Sequence, residues 1–217
     1  MITLTITELI KYIMNNQPIS INKVATHFNR TSHFIRSEIQ TSNYFLPKHN
    51  QIDINNAIVS TALTYDDFLS LMHSLNINSY VPNQLERIKV IVVLSYFTEV
   101  VNVSDVYRQW GISLTTKKKD MHALEEYLNS YNLQLKRIPG KGISVTGNLL
   151  RYRVLIVRLL SFCIDVSGFT LTRREANTPI ENIIFNTFYD NVSSQIELAH
   201  TIIDTFMVEY QHQVNYY

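Results

Sequence analysis

The chain has 217 residues, of which 46% are hydrophobic and 17% are charged, so it can bury a sizeable core and is not intrinsically disordered. Five glycines and five prolines are few for a fold with many sharp turns, and this scarcity favours long helices. A single cysteine excludes a disulfide framework and any multi-cysteine zinc or iron–sulfur site, and it fits a reducing cytoplasm.

The net charge of +1 hides an uneven distribution. Residues 108–158 contain ten basic and three acidic residues, a net charge of +7, so the rest of the chain carries −6. A polyanionic partner such as nucleic acid would relieve the repulsion within this basic region. The ordinary alternative is a solvated surface whose helix ends collect cations.

Three helices are predicted in the first 45 residues. Apolar residues at helical spacing over 6–14 predict the first helix, and Ser20 can cap a short second one. Asn29 predicts a tight break after the second helix, because Asn tolerates the left-handed conformation of a sharp helix exit. Thr31 or Ser32 can cap the third helix.

A hairpin and a fourth helix are predicted next. Residues 44–54 are expected to form the hairpin, with its turn at 47–51. Thr64 followed by Asp67 is typical of a helix start. The polar loop over residues 76–82 is expected to separate two modules.

The same order of elements recurs in the second half of the chain. Residues 85–101 predict a strongly apolar helix, and Ser104 can cap a short one after it. Gly111 marks a tight break, and Ser113 or Thr115 can cap the helix that follows.

A second hairpin completes the repeat. Residues 133–147 form two apolar–polar alternating stretches around the turn Pro139-Gly140-Lys141-Gly142. Ala25 to Asn29 corresponds to Tyr107 to Gly111, an offset of 82 residues. Each copy with its hairpin has the pattern of a winged helix-turn-helix, although the position of Tyr107 usually holds a small residue.

The residues after Leu149 predict further helices. An amphipathic-to-apolar helix is expected over 151–165, and Thr178 to Glu181 has the features of a helix start. Residues 183–210 are helical in pattern throughout, with more aromatic residues than so short a piece can bury alone. This surplus predicts either the start of a longer regulatory domain or a dimerisation surface.

The second copy resembles a known family. Asp105-Val106-Tyr107, Gly111 to Thr116 and Lys118 to Met121 are similar to the winged-helix modules of Mga-like and PRD-containing bacterial transcription regulators of the BglG, MtlR and LicR type. PRD denotes a regulatory domain controlled by the sugar phosphotransferase system. Residues 135–153, with Arg137 to Ile143, Gly147 and Arg151, resemble their wing and the entry to the next helix. Residues 23–39 resemble the module less closely, and the likeness covers about residues 1–155.

The resemblance implies a mainly α fold with small β-hairpin wings. It implies winged helix-turn-helix domains at 1–60 and 83–149, joined by a helical linker at 61–82. A helical regulatory or dimerisation region would then occupy 150–217, resembling the start of a PRD-like bundle. Because 68 residues after Leu149 are too few for the usual complete bundle, it stays open whether the chain is a fragment.

The function implied is that of a cytoplasmic, sequence-specific regulator of transcription. Its partners would be double-stranded DNA, a second copy of the chain in a homo-oligomer such as a dimer, and proteins of the phosphotransferase system. In such domains the second helix of the pair enters the major groove with its N-terminal residues leading. The expected DNA contacts are Arg30, Ser32, His33, Arg36, Thr115, Thr116, Lys117, Lys118, Lys119, Arg137 and Lys141.

Residue chemistry divides these contacts. Hydroxyl groups and Arg can read base edges, whereas Lys mostly neutralises phosphate. A helix turns by about 100° per residue, so Lys117, Lys118 and Lys119 cannot all touch bases, and at least one should contact phosphate. Lys117 also stands where the family usually has an apolar residue, and its stem could lie buried while its amine reaches outward. A surface or packing role is the alternative for His33.

Other functions have weaker support in the sequence. The seven histidines have no metal-ligand spacing, the glycine turn is too short for a phosphate-binding loop, and Cys163 lies in an apolar run, so no enzyme, metal site or cofactor is predicted. The resemblance offers His200 as a phosphoacceptor, against the ordinary interpretation as a helix-surface histidine. Two alternatives remain: a protein-interaction module built on winged helices, and an RNA-binding antiterminator. The longest apolar run, residues 90–94, is far shorter than the roughly 20 residues of a membrane span.

Overall fold

The computed structural model describes the backbone of residues 1–167 and 170–214 and the side chains of residues 1–165 and 172–198. The helices are α1 (Leu4–Asn16), α2 (Ile21–His27), α3 (Ser32–Asn43), α4 (Tyr65–Ser74), α5 (Gln84–Phe97), α6 (Val103–Gln109), α7 (Leu114–Asn129), α8 (Leu149–Leu160) and α9 (Pro179–Val214). The strands are β1 (Ile19–Ser20), β2 (Ile52–Asn55), β3 (Ile58–Thr61), β4 (Leu133–Ile138), β5 (Gly142–Gly147), β6 (Ile164–Ser167) and β7 (Thr170–Arg173). The protein is mostly helical with small sheets, as predicted. In the part of the chain described, no helix is both long enough and apolar enough to cross a bilayer.

The chain divides into two compact units. The first contains residues 1–87 with 175–180, and the second contains residues 88–174 with 181–217. Each unit repeats one order of elements: a long helix, a short extended segment, a short helix, a tight turn, a longer helix and a hairpin. The bounds of α2 and α6 differ by 82 residues at both ends, as the sequence comparison of Ala25 and Tyr107 predicts.

The core of the first unit lies under α1 and α3. Ile6, Leu9, Ile10 and Ile13 of α1 are buried at the helical spacing that predicts this helix. β3 lies between β1 and β2 in an antiparallel sheet, where Val59 pairs with residues of both neighbours and is fully buried.

The second unit is built around α5. Tyr152 of α8 donates a hydrogen bond from its hydroxyl to the carbonyl oxygen of Val92, at 2.9 Å, and its ring contacts Tyr96 edge to face. An isolated antiparallel bridge joins Val101 to Ile143 of β5, with reciprocal N–H···O bonds of 2.8 and 3.0 Å. This bridge attaches the β4–β5 hairpin to the segment that leads into α6.

Side-chain caps fix where the helices begin. Ser20 and Thr31 cap α2 and α3, and Ser113 caps α7, each through its hydroxyl oxygen. Asn102 caps α6, accepting from two backbone N–H groups, so the prediction that Ser104 caps this helix is wrong. The amide oxygen of Asn102 reaches those groups because α6 begins two residues earlier than predicted.

The predicted first hairpin is displaced along the chain. Residues 44–46 follow α3 without forming a strand, and the predicted turn contains a 3₁₀ helix at Lys48–Asn50. The hairpin is β2–β3, and its two-residue turn is Asn56-Ala57, with φ of +50° and +64°. Two successive left-handed residues match the right-handed twist of the strands. The usual sequence for such a turn is Asn-Gly, so the turn was not recognisable from a sequence with Ala57 at the second position.

The helix predicted over 151–165 ends early. α8 stops at Leu160, and the chain continues into β6, which pairs with β7. Arg174 stabilises this reversal by donating hydrogen bonds to the carbonyl oxygen of Phe162 at 2.9 Å and to a carboxylate oxygen of Asp165 at 3.1 Å. The helix predicted over 183–210 lies within α9.

Candidate nucleic-acid interface

Two tight turns of the same geometry position α3 and α7. Asn29 and Gly111 have φ of +51° and +64°, as their identities predict. In the first turn the Arg30 N–H donates to the carbonyl oxygen of Ala25, at 2.9 Å. In the second, the corresponding bond runs from Ile112 to Tyr107, at 3.0 Å. The turn between α2 and α3 and the turn between α6 and α7 therefore have the same conformation and the same hydrogen bond.

The large side chain of Tyr107 is accommodated by a polar partner. Its ring is buried, and its hydroxyl donates a hydrogen bond of 2.8 Å to a carboxylate oxygen of Asp120, which is buried on α7. In the first unit the corresponding residue is Ala25, which is also buried. The large residue at a position that usually holds a small one therefore makes a contact that joins α6 to α7.

The three lysines of α7 have different surroundings. Lys118 and Lys119 are exposed, whereas Lys117 is half-buried and donates a hydrogen bond from Nζ to the hydroxyl of Ser104, at 2.8 Å. The stem of Lys117 thus occupies the place that Ile35 fills in the first unit, where that side chain is buried. Lys118 and Lys119 are therefore the two exposed lysines in the first turns of α7.

The other predicted contact residues surround the two helix starts. Thr115 is exposed, and the Thr116 hydroxyl lies 3.0 Å from that of Ser113. In the first unit the Ser32 hydroxyl donates to the side-chain oxygen of Asn22, at 2.8 Å.

Arg30, Arg36 and His33 are the remaining predicted contact residues of that unit. The guanidinium of Arg30 stands 5.4 Å from the ring centre of Phe34. Arg36 and His33 are exposed on α3.

A groove of about 670 Å³ separates α7 from the β4–β5 hairpin. Four basic residues line it, namely Lys117, Lys118, Arg137 and Lys141. Arg137 lies 3.4 Å from a carboxylate oxygen of Glu125, an exposed ion pair of small energy that another anion can replace. Two of the three predicted lysines of α7 and both predicted cations of the hairpin are therefore brought together on one groove.

The first unit has a corresponding groove between α3 and β2. His33 and Arg36 line it together with Ser37 and Gln40, two residues that were not predicted as DNA contacts. Gln40 corresponds to His122, which lines the groove of the second unit. Helical spacing from the predicted residues identifies both positions, because residues three or four apart share a face. Lys136 of β4 is a further exposed cation that was counted in the basic region only.

Of the residues considered for chemistry, Cys163 does not line either groove. Cys163 is 1% exposed, and burial raises the pKa of its thiol to about 12, which disfavours the nucleophilic thiolate and agrees with a packing role. The side chain of His200 lies outside the described residues.

A family comparison matches this second region. Residues 74–160 match the family described as the Mga helix-turn-helix domain, and the match runs from the last residue of α4 to the last residue of α8. No curated protein matches the chain. The matched family consists of DNA-binding regulators and not of enzymes. The segment that contains α5 to α8 and the β4–β5 hairpin is therefore similar to a DNA-binding helix-turn-helix domain of transcription regulators.

Proposed function

We propose that the protein is a sequence-specific, double-stranded-DNA-binding regulator of transcription in the bacterial cytoplasm. The observation that carries the proposal is the basic groove between α7 and the β4–β5 hairpin, within the segment similar to the Mga helix-turn-helix domain. α7 would enter the major groove with Thr115 and Lys118 leading, and the hairpin would act as a wing on the backbone.

The geometry of the second unit supports this arrangement. Arg137 and Lys141 extend from the hairpin on the same groove as Lys118, so cations of the helix and of the hairpin can contact neighbouring phosphates at once. Lys117 would act through position, because its amine already binds Ser104 and links α7 to α6. Lys119 is exposed on the neighbouring face and would contact phosphate.

The first unit would be a second winged helix-turn-helix domain. Its turn repeats that of the second unit, and its exposed residues Arg36 and His33 lie at the start of α3, beside Ser32 and Arg30. The proposed domains are 1–60 and 83–149, joined by the segment at 61–82, and DNA would contact both.

The region at 150–217 would mediate oligomerisation or receive signals. α8 exposes Leu150, Val154 and Val157, which are 69%, 59% and 66% accessible and follow one face at helical spacing. Such a stripe favours a homodimer. PRD-like regulation by phosphotransferase-system proteins, with His200 as phosphoacceptor, rests on the sequence resemblance alone.

The test is fluorescence anisotropy of a labelled mixed-sequence duplex, titrated with the protein over a range of salt concentrations. We expect log K to fall linearly with log salt, with a slope of about −4 to −6 for roughly five to seven phosphate contacts. Lys118→Ala/Lys119→Ala should flatten the slope by about 1 to 2. The control Lys11→Ala/Arg173→Ala removes the same charge from exposed sites elsewhere and should leave the slope close to that of the wild type.

The alternatives predict different outcomes. Absence of duplex binding at low salt would contradict the proposal and favour a protein-interaction module. Tighter binding to a structured RNA than to the duplex would favour an antiterminator. Equal slopes for the α7 variant and its control would remove α7 from the interface.

A further inference from the structure

We infer that the two units divide the work of DNA recognition: the first discriminates between bases and the second supplies most of the attraction to the phosphate backbone. The inference rests on the proposed DNA-binding function and adds which unit determines specificity. It follows from three differences between the two copies of the repeat.

The first difference is the charge of the two segments, 1–87 and 88–174, that contain the helix pairs and their hairpins. Residues 1–87 contain six basic and six acidic residues, so this part of the chain is neutral. Residues 88–174 contain thirteen basic and six acidic residues, a net charge of +7. The five acidic residues that the second unit contains after residue 180 lie outside its helix pair and hairpin. Affinity for the backbone grows with the number of phosphates neutralised by Lys and Arg, so the segment 88–174 of the second unit contributes most of this attraction.

The second difference is in the hairpins. The β4–β5 hairpin carries Lys136, Arg137 and Lys141 and no acidic residue, and all three cations are exposed. The β2–β3 hairpin carries no basic residue, and Asp53 on β2 is exposed. A hairpin with one carboxylate repels a phosphate, so the first unit cannot hold the backbone through its wing as the second unit can.

The third difference is on the helices that follow the two turns. Arg36, Ser37 and Gln40 of α3 correspond to Lys118, Lys119 and His122 of α7. The exposed Arg36 and Gln40 lie four residues apart and line the groove beside β2 together.

These exchanges alter what the helices can recognise. Arg donates two parallel hydrogen bonds to the acceptors of guanine, and Gln pairs in the same bidentate way with adenine. Lys is a point charge without that planar geometry, so the lysines of α7 suit phosphates, whose positions carry no sequence information. Arg36 and Gln40 are therefore the specificity-determining pair.

The experiment is selection of binding sites from a pool of random-sequence duplexes, using the full chain. The first-unit variant is Arg36→Lys/Gln40→Ala, which keeps the net charge and removes both bidentate groups. The second-unit variant is Lys118→Ala/Lys119→Ala, and circular dichroism confirms that each variant keeps the wild-type helical content.

The wild type should enrich a motif. The first-unit variant should lose it, with the ratio of motif to random-duplex affinity falling about 10- to 100-fold while the salt slope stays within about 0.5 of the wild-type value. The second-unit variant should enrich the same motif, bind all duplexes more weakly, and have a slope flattened by about 1 to 2.

Other outcomes distinguish a failure of this inference from a failure of the proposed DNA-binding function. If the motif survives in the first-unit variant or disappears in the second-unit variant, DNA binding stands and the division of labour is wrong. The same holds if the wild type binds duplexes without enriching any motif. If the wild type binds no duplex at low salt, the proposed function itself fails.

Discussion

At the scale of residues, the two copies of the repeat have different types of side chain at two equivalent positions. Where the first unit buries Ala25 and Ile35, the second has Tyr107 and Lys117. Each of these polar replacements is satisfied by a partner on the neighbouring helix, Asp120 and Ser104 respectively. At these two positions the α6–α7 pair has side-chain hydrogen bonds where the α2–α3 pair has buried apolar side chains.

Tyr107→Phe tests the buried contact. Removing the hydroxyl takes one donor from the carboxylate of Asp120 in a buried site, so the free energy of unfolding should fall by about 1–3 kcal/mol. Urea denaturation measures this loss. The control Tyr44→Phe removes a hydroxyl from a residue that is 86% exposed, and it should cost less than about 0.5 kcal/mol. Equal losses for the two variants would contradict a structural role for the buried pair.

At the scale of elements, the β4–β5 hairpin makes one close backbone contact with the segment before α6. A Cβ atom at Gly142 would overlap the carbonyl oxygen of Val101, the residue bridged to Ile143. Gly142 also has a φ of +143°, which other residues rarely adopt. The close approach lets β5 lie against the entry to α6, which places the hairpin cations on the groove beside α7.

Gly142→Ala should therefore detach the hairpin, whereas Gly140→Ala should not. Gly140 also has a left-handed φ, of +71°, but a Cβ there would meet nothing within 4 Å, so its loss should cost about 1–2 kcal/mol. Gly142→Ala adds the overlap with Val101 and should cost about 2–5 kcal/mol of unfolding free energy in urea. It should also weaken duplex binding more than Gly140→Ala. The importance of the bridge would be refuted by equal effects of the two substitutions.

Helices and turns with strong local signals could be predicted from the sequence. The capping box at Thr64 and Asp67, the cap at Ser20 and the left-handed breaks at Asn29 and Gly111 all form as expected. In each case the side chain acts on backbone within a few residues, so tertiary context is not needed to predict it.

Features that depend on contacts distant in sequence were not predictable in the same way. The turn at Asn56-Ala57 has a residue that does not favour left-handed φ, and Ala57 is held there while its carbonyl oxygen accepts from Ile21. The strand β6 replaces the expected end of a helix because β7 pairs with it and Arg174 donates to the carbonyl oxygen of Phe162 in the segment between α8 and β6. For the groove beside α7, residues on both the helix and the hairpin were predicted, namely Lys118, Arg137 and Lys141, whereas for the groove beside α3 only the helix residues were. Neither groove itself was predictable, because the sequence does not give the distance of a hairpin from its helix.

At the scale of the whole molecule, charge is separated along the chain. Residues 88–174 carry +7, and the 43 residues after Arg174 contain six acidic residues and no basic one. The exposed stripe of α8, formed by Leu150, Val154 and Val157, is flanked by Arg151, Arg153 and Arg158. Two copies of α8 would repel each other through these arginines, whereas the acidic segment of a second copy would be attracted to them.

The last prediction concerns this surface. We expect a dimer in sedimentation velocity, and Val154→Glu/Val157→Glu should shift it to monomer, because two carboxylates would be buried against an acidic partner. Val154→Lys/Val157→Lys is the matched control: it disrupts the apolar stripe equally but places charges that the acidic segment attracts, so it should retain more dimer than the glutamate variant. A wild type that stays monomeric at every concentration would refute dimerisation through α8. If the lysine variant dissociates more readily than the glutamate variant, the partner surface is not the acidic segment, since the sign of the charge would then act in the opposite direction.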